Sequence, residues 1–244
     1  MTGRLTPVEL KRRLAAGEDL DGVVVKTPSH QVIEVLAAGG TALVMIDTEH
    51  GQIGIETLDA MVAVASALGV AALVRVPAAD RVAIQQTLDT GATGVVVPHV
   101  HSAALAADVV RWSHYGDGGR GFAGSTRSAG WGTRPIGEVV AAAAAETVVI
   151  VQVEDVAAAD AADAIAGTDG VDAVFVGAAD LAVATGSTST SDPGVVEACD
   201  RIIAKVLAAG TAAVAYAATD AEAARWRAAG VTVVLTGSDQ TRLR

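Results

Sequence analysis

The chain alternates short runs of β-branched and aliphatic residues with longer segments in which apolar residues recur at helical spacing. Most of the helical segments end at a glycine, the residue that best tolerates the left-handed backbone found at helix C-termini. The pattern predicts eight strands, at residues 23–25, 42–46, 71–76, 94–97, 148–153, 174–176, 211–217 and 231–235.

The intervals between these strands predict helices. They lie at residues 6–16, 29–38, 55–68, 79–90, 102–114, 135–145, 193–209 and 220–229, and one more lies between 155 and 171. Thr6 is the expected N-cap of the first helix, with Pro7 in its first turn. One long irregular segment, residues 115–135, is rich in glycine and contains three arginines. Loops of this length in a compact domain usually serve a function.

The length of 244 residues, the alternation and the eight strands predict an α/β protein with a single domain over residues 1–244. The predicted architecture is the (β/α)8 barrel, or TIM barrel. The alternative is a doubly wound open sheet. Such a sheet would usually carry a glycine-rich phosphate-binding turn after its first strand, and the sequence there, VVVKTPSH, is not one.

Composition narrows the functional classes. Hydrophobic residues make up 51% of the chain but aromatic residues only 3%, so alanine, valine, leucine and isoleucine must form the core. The net charge of −11 argues against nucleic acid and anionic membranes as partners. One cysteine, Cys199, rules out an internal disulfide and fits a reducing compartment. With no signal-peptide core and no membrane-length apolar run, the expectation is a soluble cytoplasmic protein.

Active sites of TIM barrels lie at the carboxyl ends of the strands. The polar residues that follow the predicted strands are Lys26, Asp47, Glu49, His50, Arg75, His99, His101, Glu154 and Asp180. Glu154 and Asp180 end consecutive strands and should converge, which suits a hard divalent cation. The alternative is a pair of solvated loop acids. His99 and His101 give only a weak signal of a metal pair.

Arg75 and His50 are the further candidates for a reaction centre. An arginine inside a strand needs an anion. That anion is a substrate carboxylate or, in a purely structural interpretation, Asp47 or Glu49. His50 closely follows these two acids, as a proton-transferring imidazole would, although an isolated loop histidine is often incidental. The set suggests enolate chemistry on a 2-oxo acid, with Arg75 stabilising the developing oxyanion.

Six motifs resemble the HpcH/HpaI family of class II, divalent-metal-dependent aldolases that act on pyruvate-type 2-oxo acids. They are MIDTEHG (45–51), LVRVP (73–77), QQTLDTGATGVVVPHV (85–100), RGFAGSTRSAGW (120–131), VQVED (151–155) and VFVGAADLA (174–182). In this order they are specific, and they cover about residues 39–186. The ends of the chain match only in general pattern.

The resemblance implies a modified TIM barrel, usually a hexamer, with Mg²⁺, Mn²⁺ or Co²⁺ held by Glu154 and Asp180. It also implies that Gln152 supports the metal site, that Arg75 binds the keto or enolate oxygen, and that His50 takes part in proton transfer.

Further residues match the family around this centre. Asp47 and Asp89 match family acids near the histidine, and either is a candidate to orient it. The backbone at Gly177 and Ala178 would meet the substrate carboxylate, and the loop with Arg120 would lie near the site.

Three departures from the family pattern stand out. Residues 177–181 read Gly-Ala-Ala-Asp-Leu where the family often has Gly-Pro-X-Asp-Leu, which would loosen the loop before Asp180. His99 occupies a position that is commonly apolar, so the acceptor substrate is expected to differ. The sequence stops at Arg244, so the family's long C-terminal helix is expected to be truncated, which argues against the hexamer.

The leading functional hypothesis is reversible aldol cleavage of a 4-hydroxy-2-oxo acid to pyruvate, or a related 2-oxo acid, and an aldehyde. The first alternative is a citrate-synthase-like or CoA-thioester condensation or lyase reaction on the same scaffold. The second is a non-catalytic barrel that binds a small molecule. A homo-oligomer is expected.

Overall fold

Eight parallel strands close into a barrel whose order follows the chain. The computed structural model describes residues 5–242. The strands are β1 (Leu20–Val25), β2 (Leu43–Asp47), β3 (Ala71–Arg75), β4 (Gly94–Val97), β5 (Val148–Val153), β6 (Ala173–Val176), β7 (Ala212–Ala217) and β8 (Val233–Ser238). The predicted single-domain (β/α)8 barrel is confirmed, and the doubly wound sheet is wrong because β8 pairs with β1 and leaves no open edge.

Helices surround the strands. They are α1 (Pro7–Ala15), α2 (His30–Ala38), α3 (Ile55–Leu68), α4 (Arg81–Asp89), α5 (Ala103–Ser113), α6 (Ile136–Glu146), α7 (Val156–Asp160), α8 (Ala162–Ala166), α9 (Ala178–Ala184), α10 (Pro193–Ala208), α11 (Asp220–Ala228) and α12 (Asp239–Arg242). The Thr6 hydroxyl accepts the backbone N–H of Glu9, as predicted for the N-cap of α1. Residues 115–135 contain no helix, also as predicted.

Several elements differ from the prediction, and β1 begins at Leu20 where residue 23 was predicted. The single helix expected between residues 155 and 171 is two, because the backbone turns at Ala161 (φ −95°, ψ 7°) and lets both Ala158 and Ile165 enter the core. No helix was predicted at α9, since seven residues are too short to show a helical period. β8 extends to Ser238 because an irregularity in the ladder places Val24 opposite Ser238. Residues 243–244 lie outside the described part, so the truncated C-terminal helix stays a prediction.

The inside of the barrel determines where polar groups emerge. Side chains along a strand alternate between two faces. The inward positions include Met45, Leu73, Ile150 and Phe175, all in one buried cluster. The residues two positions further along are Asp47, Arg75, Gln152 and Gly177. The first three are still in their strands, and Gly177 directly follows β6. The inward face therefore becomes polar at the carboxyl end of the barrel.

The rest of the core is apolar. Leu5, Leu10 and Leu14, in and just before α1, belong to the barrel-interior cluster and cover its amino-terminal end. Two further clusters fill the space between the strands and the outer helices, with Trp226 a member of one and Met61 a member of the other. Each fully buried aliphatic side chain contributes roughly 1.5–3 kcal/mol. In the described part of the chain, no helix is both long and apolar enough to cross a membrane.

Candidate active site

Arg75 lies at the centre of the carboxyl end of the barrel. Its Nε donates to Asp47 Oδ1 at 3.0 Å, and its Nη2 donates to Asp47 Oδ2 at 2.7 Å. Its Nε also lies 3.3 Å from Glu49 Oε2. The structural ion pairs considered for Arg75 are thus both present, and they leave Nη1 directed towards Gln152.

The Arg75–Asp47 pair stays ionised despite its burial. Burial raises the pKa of Asp47, but the Arg75 hydrogen bonds and charge outweigh it and hold that pKa below its usual range, with help from the backbone N–H of His50 and from Lys26. The Lys26 ammonium lies 3.5 Å from Asp47 Oδ2. Burial lowers the pKa of Arg75, and Asp47 more than reverses this, so the guanidinium remains a permanent cation.

A line of contacts connects this pair to Glu154. Arg75 Nη1 donates to Gln152 Oε1 at 3.4 Å, and Gln152 Nε2 donates to Glu154 Oε2. Gln152 and Glu154 are 1% and 3% exposed, so little solvent screens these contacts. One polar network therefore runs across β2, β3 and β5.

Gly177 gives Glu154 its space. A Cβ atom at position 177 would lie 2.5 Å from Glu154 Cβ, closer than real Cβ contacts allow, and 3.1 Å from its Oε2. The other carboxylate oxygen, Oε1, accepts the backbone N–H of His99 at 2.7 Å. Gly177 and the His99 backbone together hold the Glu154 carboxylate in one orientation.

The environment of Glu154 favours a bound cation. Burial raises its pKa, and the negative charge of Asp180 raises it further, while the backbone N–H and charge of His99 oppose the shift. Asp180 lies in the first turn of α9 and is exposed. Among residues 5–242 no three His, Cys, Asp or Glu side chains form a ready-made metal site. Two carboxylates completed by substrate and water oxygens are a donor set that fits a hard divalent ion.

His50 stands at the edge of this mouth with its side chain 55% exposed. Its Nε2 is 3.8 Å from Glu49 Oε2, whereas Asp47 contacts only its backbone N–H, at 3.2 Å. Of the two acids considered as orienting partners, neither Asp47 nor Asp89 contacts the ring within the described chain. Glu49 is the nearest carboxylate to the imidazole.

The His99 imidazole lies between two carboxylates of the site, a position that the sequence did not indicate. Its Nδ1 lies 3.0 Å from Glu154 Oε1, and its Nε2 lies 3.3 Å from Glu49 Oε1, so the ring bridges the loops after β2 and β5. Its backbone is left-handed, with φ +57°, which is unusual for a residue with a side chain. His101 is exposed and forms no hydrogen bond or ion pair with other described residues.

Asp89 and Arg120 lie towards the amino-terminal end of the barrel, away from Arg75 and Glu154. Asp89 is the last residue of α4, a helix that runs back to the amino-terminal end of the barrel. Its carboxylate accepts Arg120 Nη2 at 2.6 Å, and the same nitrogen donates to Ser128 at 2.7 Å. The fold places this pair away from His50 of the same chain, and its role in the site stays a prediction.

Asp239 was not singled out from the sequence. It is 5% exposed, and its two carboxylate oxygens accept the backbone N–H groups of Lys26 and Thr27 at 3.0 and 2.9 Å. These bonds tie the loop after β1 to the start of α12 and hold Lys26 beside Asp47. The only sequence feature that could have indicated this role is its position directly after the final strand, β8.

The closed barrel and the buried arginine–carboxylate network at its carboxyl end define a TIM-barrel enzyme. The chain belongs to the HpcH/HpaI aldolase/citrate lyase family, which matches residues 22–244. The predicted family is thereby confirmed. The predicted class, an aldolase and thus a carbon–carbon lyase, is confirmed by its relatives.

Two relatives illustrate the similarity. The hydroxypyruvate/pyruvate aldolase of Paraburkholderia phytofirmans is 35% identical over 94% of this chain and 91% of its own length. The 4-hydroxy-2-oxovalerate aldolase of Rhodococcus jostii is 35% identical over 94% of this chain and 89% of its own length. The crystal structure of citrate synthase SbnG superposes with a TM-score of 0.86 at 33% identity, covering 97% of this chain and 93% of that one.

Proposed function

We propose that this chain is a class II aldolase that reversibly cleaves a 4-hydroxy-2-oxo acid to pyruvate, or a related 2-oxo acid, and an aldehyde. One observation carries the proposal. A permanently charged, buried guanidinium, Arg75, connects through Gln152 to the acidic pair Glu154 and Asp180. Such a site can stabilise an enolate, the intermediate that this cleavage requires.

Glu154 and Asp180 would hold the divalent ion, which we propose to be Mg²⁺, Mn²⁺ or Co²⁺. When bound, such an ion supplies Lewis-acid stabilisation of negative charge on the keto oxygen. Gln152 fixes the Glu154 carboxylate by donating to Oε2. Gly177 leaves the carboxylate room to face the ion.

The remaining residues would bind the substrate and move a proton. Arg75 Nη1, whose contact with Gln152 is long at 3.4 Å, would donate to the keto or enolate oxygen. The backbone of Gly177 and Ala178, next to Glu154, would meet the substrate carboxylate. The exposed His50 imidazole would transfer a proton to or from the reacting centre, directly or through one water.

Exchange of the methyl protons of pyruvate with deuterated solvent, followed by NMR, tests this proposal. With Mn²⁺ present the protein should catalyse the exchange, and EDTA or Glu154→Gln should abolish it. Glu138→Gln, at an exposed glutamate on α6, is the matched control and should exchange normally. Absence of exchange in the metal-loaded wild type would reject the enolate mechanism.

A second candidate is citrate-synthase-like condensation or CoA-thioester lysis. The similarity to citrate synthase SbnG favours it, as does His99, whose exposed imidazole places a polar group at the mouth. Product analysis after incubation with oxaloacetate and acetyl-CoA distinguishes the two reactions. Citrate formation at a rate above that of aldol cleavage would replace the first assignment.

We also propose that the protein works as a homo-oligomer, the hexamer being the family's arrangement. Asp89 matches the position of a family acid that lies near the catalytic histidine. In this chain it lies at the other end of the barrel from His50. A neighbouring copy would therefore have to bring its Asp89 to His50. Light scattering measures the assembly. Mixing inactive Asp89→Asn and Glu154→Gln subunits should restore part of the activity if sites are shared, and no recovery would refute the sharing.

A further inference from the structure

The His99 imidazole is fixed beside one of the two proposed metal ligands. Glu154 Oε1 accepts the backbone N–H of His99 at 2.7 Å, and the ring nitrogen Nδ1 of the same residue lies 3.0 Å from that oxygen. No other histidine of the described chain forms an ion pair with Glu154. Because position 99 is commonly apolar in the family, this nitrogen is an addition to the two carboxylates.

The distance between these two atoms fits two donors of one ion. Histidine nitrogens and carboxylate oxygens both bind divalent ions at about 2.1 Å. Two such donors at right angles about an ion are about 3.0 Å apart. Glu154 Oε1 and His99 Nδ1 therefore have the separation of neighbouring metal ligands, although a hydrogen bond from Nδ1 would have the same length.

The second ring nitrogen of His99 has the kind of partner that metal-bound histidines usually have. Such a histidine generally donates its other ring N–H to a carboxylate, a backbone carbonyl or water. Here Nε2 lies 3.3 Å from Glu49 Oε1. Glu49 is in turn held by Arg75, whose Nε lies 3.3 Å from Glu49 Oε2. Glu49 would thus fix both the orientation of the ring and the tautomer that leaves a lone pair on Nδ1.

That lone pair faces a carboxylate oxygen. A neutral imidazole carries one N–H group, so it can donate to Glu49 or to Glu154 but not to both. When Nε2 donates to Glu49, Nδ1 and Glu154 Oε1 present lone pairs to each other and need a proton or a metal ion between them. The negative charge of Asp180 also acts on Glu154, so this place attracts cations.

The backbone of His99 is unusual at the same point. Its φ of +57° is left-handed, a conformation that few residues with a side chain adopt. With this backbone, both the N–H group and the ring of His99 reach Glu154 Oε1. Strained backbone of this kind is concentrated at functional sites, where the surrounding structure holds it in place.

We propose that His99 Nδ1 is a third protein ligand of the metal centre, beside Glu154 and Asp180. The inference rests on the proposed function, in which the divalent ion binds these two acids. The three side chains form no ready-made group in the described chain, so the exposed Asp180 would join the other two when the ion binds. A nitrogen donor shifts the preference of the site from Mg²⁺, which suits oxygen donors, towards Co²⁺.

Pulsed EPR of the Mn²⁺-loaded protein detects the nitrogen on the metal without any turnover. The wild type should show coupling to a directly bound imidazole nitrogen, and isotope-labelled histidine should alter that coupling. His99→Asn should lose it, because asparagine has no imidazole but tolerates a left-handed backbone. His101→Asn is the matched control and should retain the coupling, because His101 is an exposed residue of the same loop.

Calorimetric titrations with Co²⁺ and Mg²⁺ measure the preference. His99→Asn should weaken Co²⁺ binding about tenfold or more and change Mg²⁺ binding about threefold or less, because the amide oxygen suits Mg²⁺. An equal loss for both ions overturns the proposal, since a general distortion of the site has that effect. Absence of nitrogen coupling in the Mn²⁺-loaded wild type also overturns it. If His99→Asn fails to fold, His99→Gly decides in its place.

Failure of this inference is distinguishable from failure of the proposed function. If the wild type binds the ion, Glu154→Gln abolishes binding and no nitrogen coupling appears, the two acids hold the metal and only the role of His99 is rejected. If no divalent ion binds the wild type, the proposed metal centre and the role of His99 are both rejected.

Discussion

Asp47 and Arg75 are direct register partners in the ladder between β2 and β3, and their side chains form two hydrogen bonds of 3.0 and 2.7 Å. A slip of one residue in that register would turn one member of the pair out of the barrel. The centre of the candidate site is therefore a consequence of how these two strands align.

Asp47→Asn should destabilise the protein by about 3 kcal/mol at pH 7, because it leaves the buried Arg75 cation without its main counter-charge. The measurement is urea-induced unfolding. Asp200→Asn breaks an exposed ion pair with Arg225 and should change the free energy of unfolding by about 0.5 kcal/mol or less. Equal effects of the two variants would show that burial does not strengthen the Asp47 pair.

The cost of Asp47→Asn should depend on pH. The pKa of Asp47 is lowered in the folded protein, so its ionised form contributes stability above the unfolded pKa of about 3.9. That contribution is lost as the pH falls through the folded pKa. The stability difference between wild type and variant should stay constant from about pH 5 to 8 and shrink at pH 3. A difference that grows towards acid would contradict the assigned direction.

Gly177→Ala should destabilise the protein by about 1–3 kcal/mol and weaken binding of Mn²⁺, since the new methyl group would push against Glu154. Urea unfolding and calorimetric titration with Mn²⁺ measure the two effects. The control is Gly137→Ala in α6, because a Cβ atom there would meet nothing within 4 Å. This substitution should stabilise the helix by about 0.5–1 kcal/mol. Unchanged Mn²⁺ affinity in Gly177→Ala would separate this glycine from the metal site.

His99→Gly should be more stable than His99→Ala by roughly 1 kcal/mol, because both lose the imidazole but only alanine keeps the strain of φ +57°. Thermal or urea unfolding of the two variants gives the comparison. At His30, an exposed histidine at the start of α2, the order should reverse, because glycine disfavours a helix. The same order at both positions would argue against strain at His99.

Cys199 should resist thiol reagents in the folded protein. Burial raises the pKa of this thiol to about 11. At pH 8 only about one thiol in a thousand would then be the reactive thiolate. A chromogenic disulfide reagent should therefore report almost no reaction until denaturant is added, and then one thiol per chain. Rapid labelling of the native protein would show that this part of α10 opens readily.

Much of the site was predictable because it depends on local order in the sequence. The alternation of strands and helices indicates a barrel, and the polar residues that directly follow strands indicate its mouth. Asp47, Arg75 and Gln152 lie on the inward face because side chains alternate along each strand, and each lies two residues beyond a core position such as Met45 or Leu73. Glu154 follows two residues after Gln152. These inferences require only periods of two and 3.6 residues.

Contacts between distant loops were not predictable in this way. The bridge from His99 to Glu49 and Glu154 depends on a left-handed backbone at His99, which no local pattern indicates. Arg120 pairs with Asp89 at the far end of the barrel because α4 returns there and the glycine-rich segment folds back onto it. Neither position follows from spacing along the chain.

The sequence by itself determined the barrel, the family and the set of polar residues at the strand ends, because strand alternation and helix periodicity are properties of neighbouring residues. Only the tertiary structure decided which of these residues touch. The Arg75–Asp47 pair requires the β2–β3 register, and the Arg120–Asp89 pair requires the glycine-rich segment to pack against the end of α4. Such contacts join residues far apart in the chain, and their geometry is set by closure of the whole barrel.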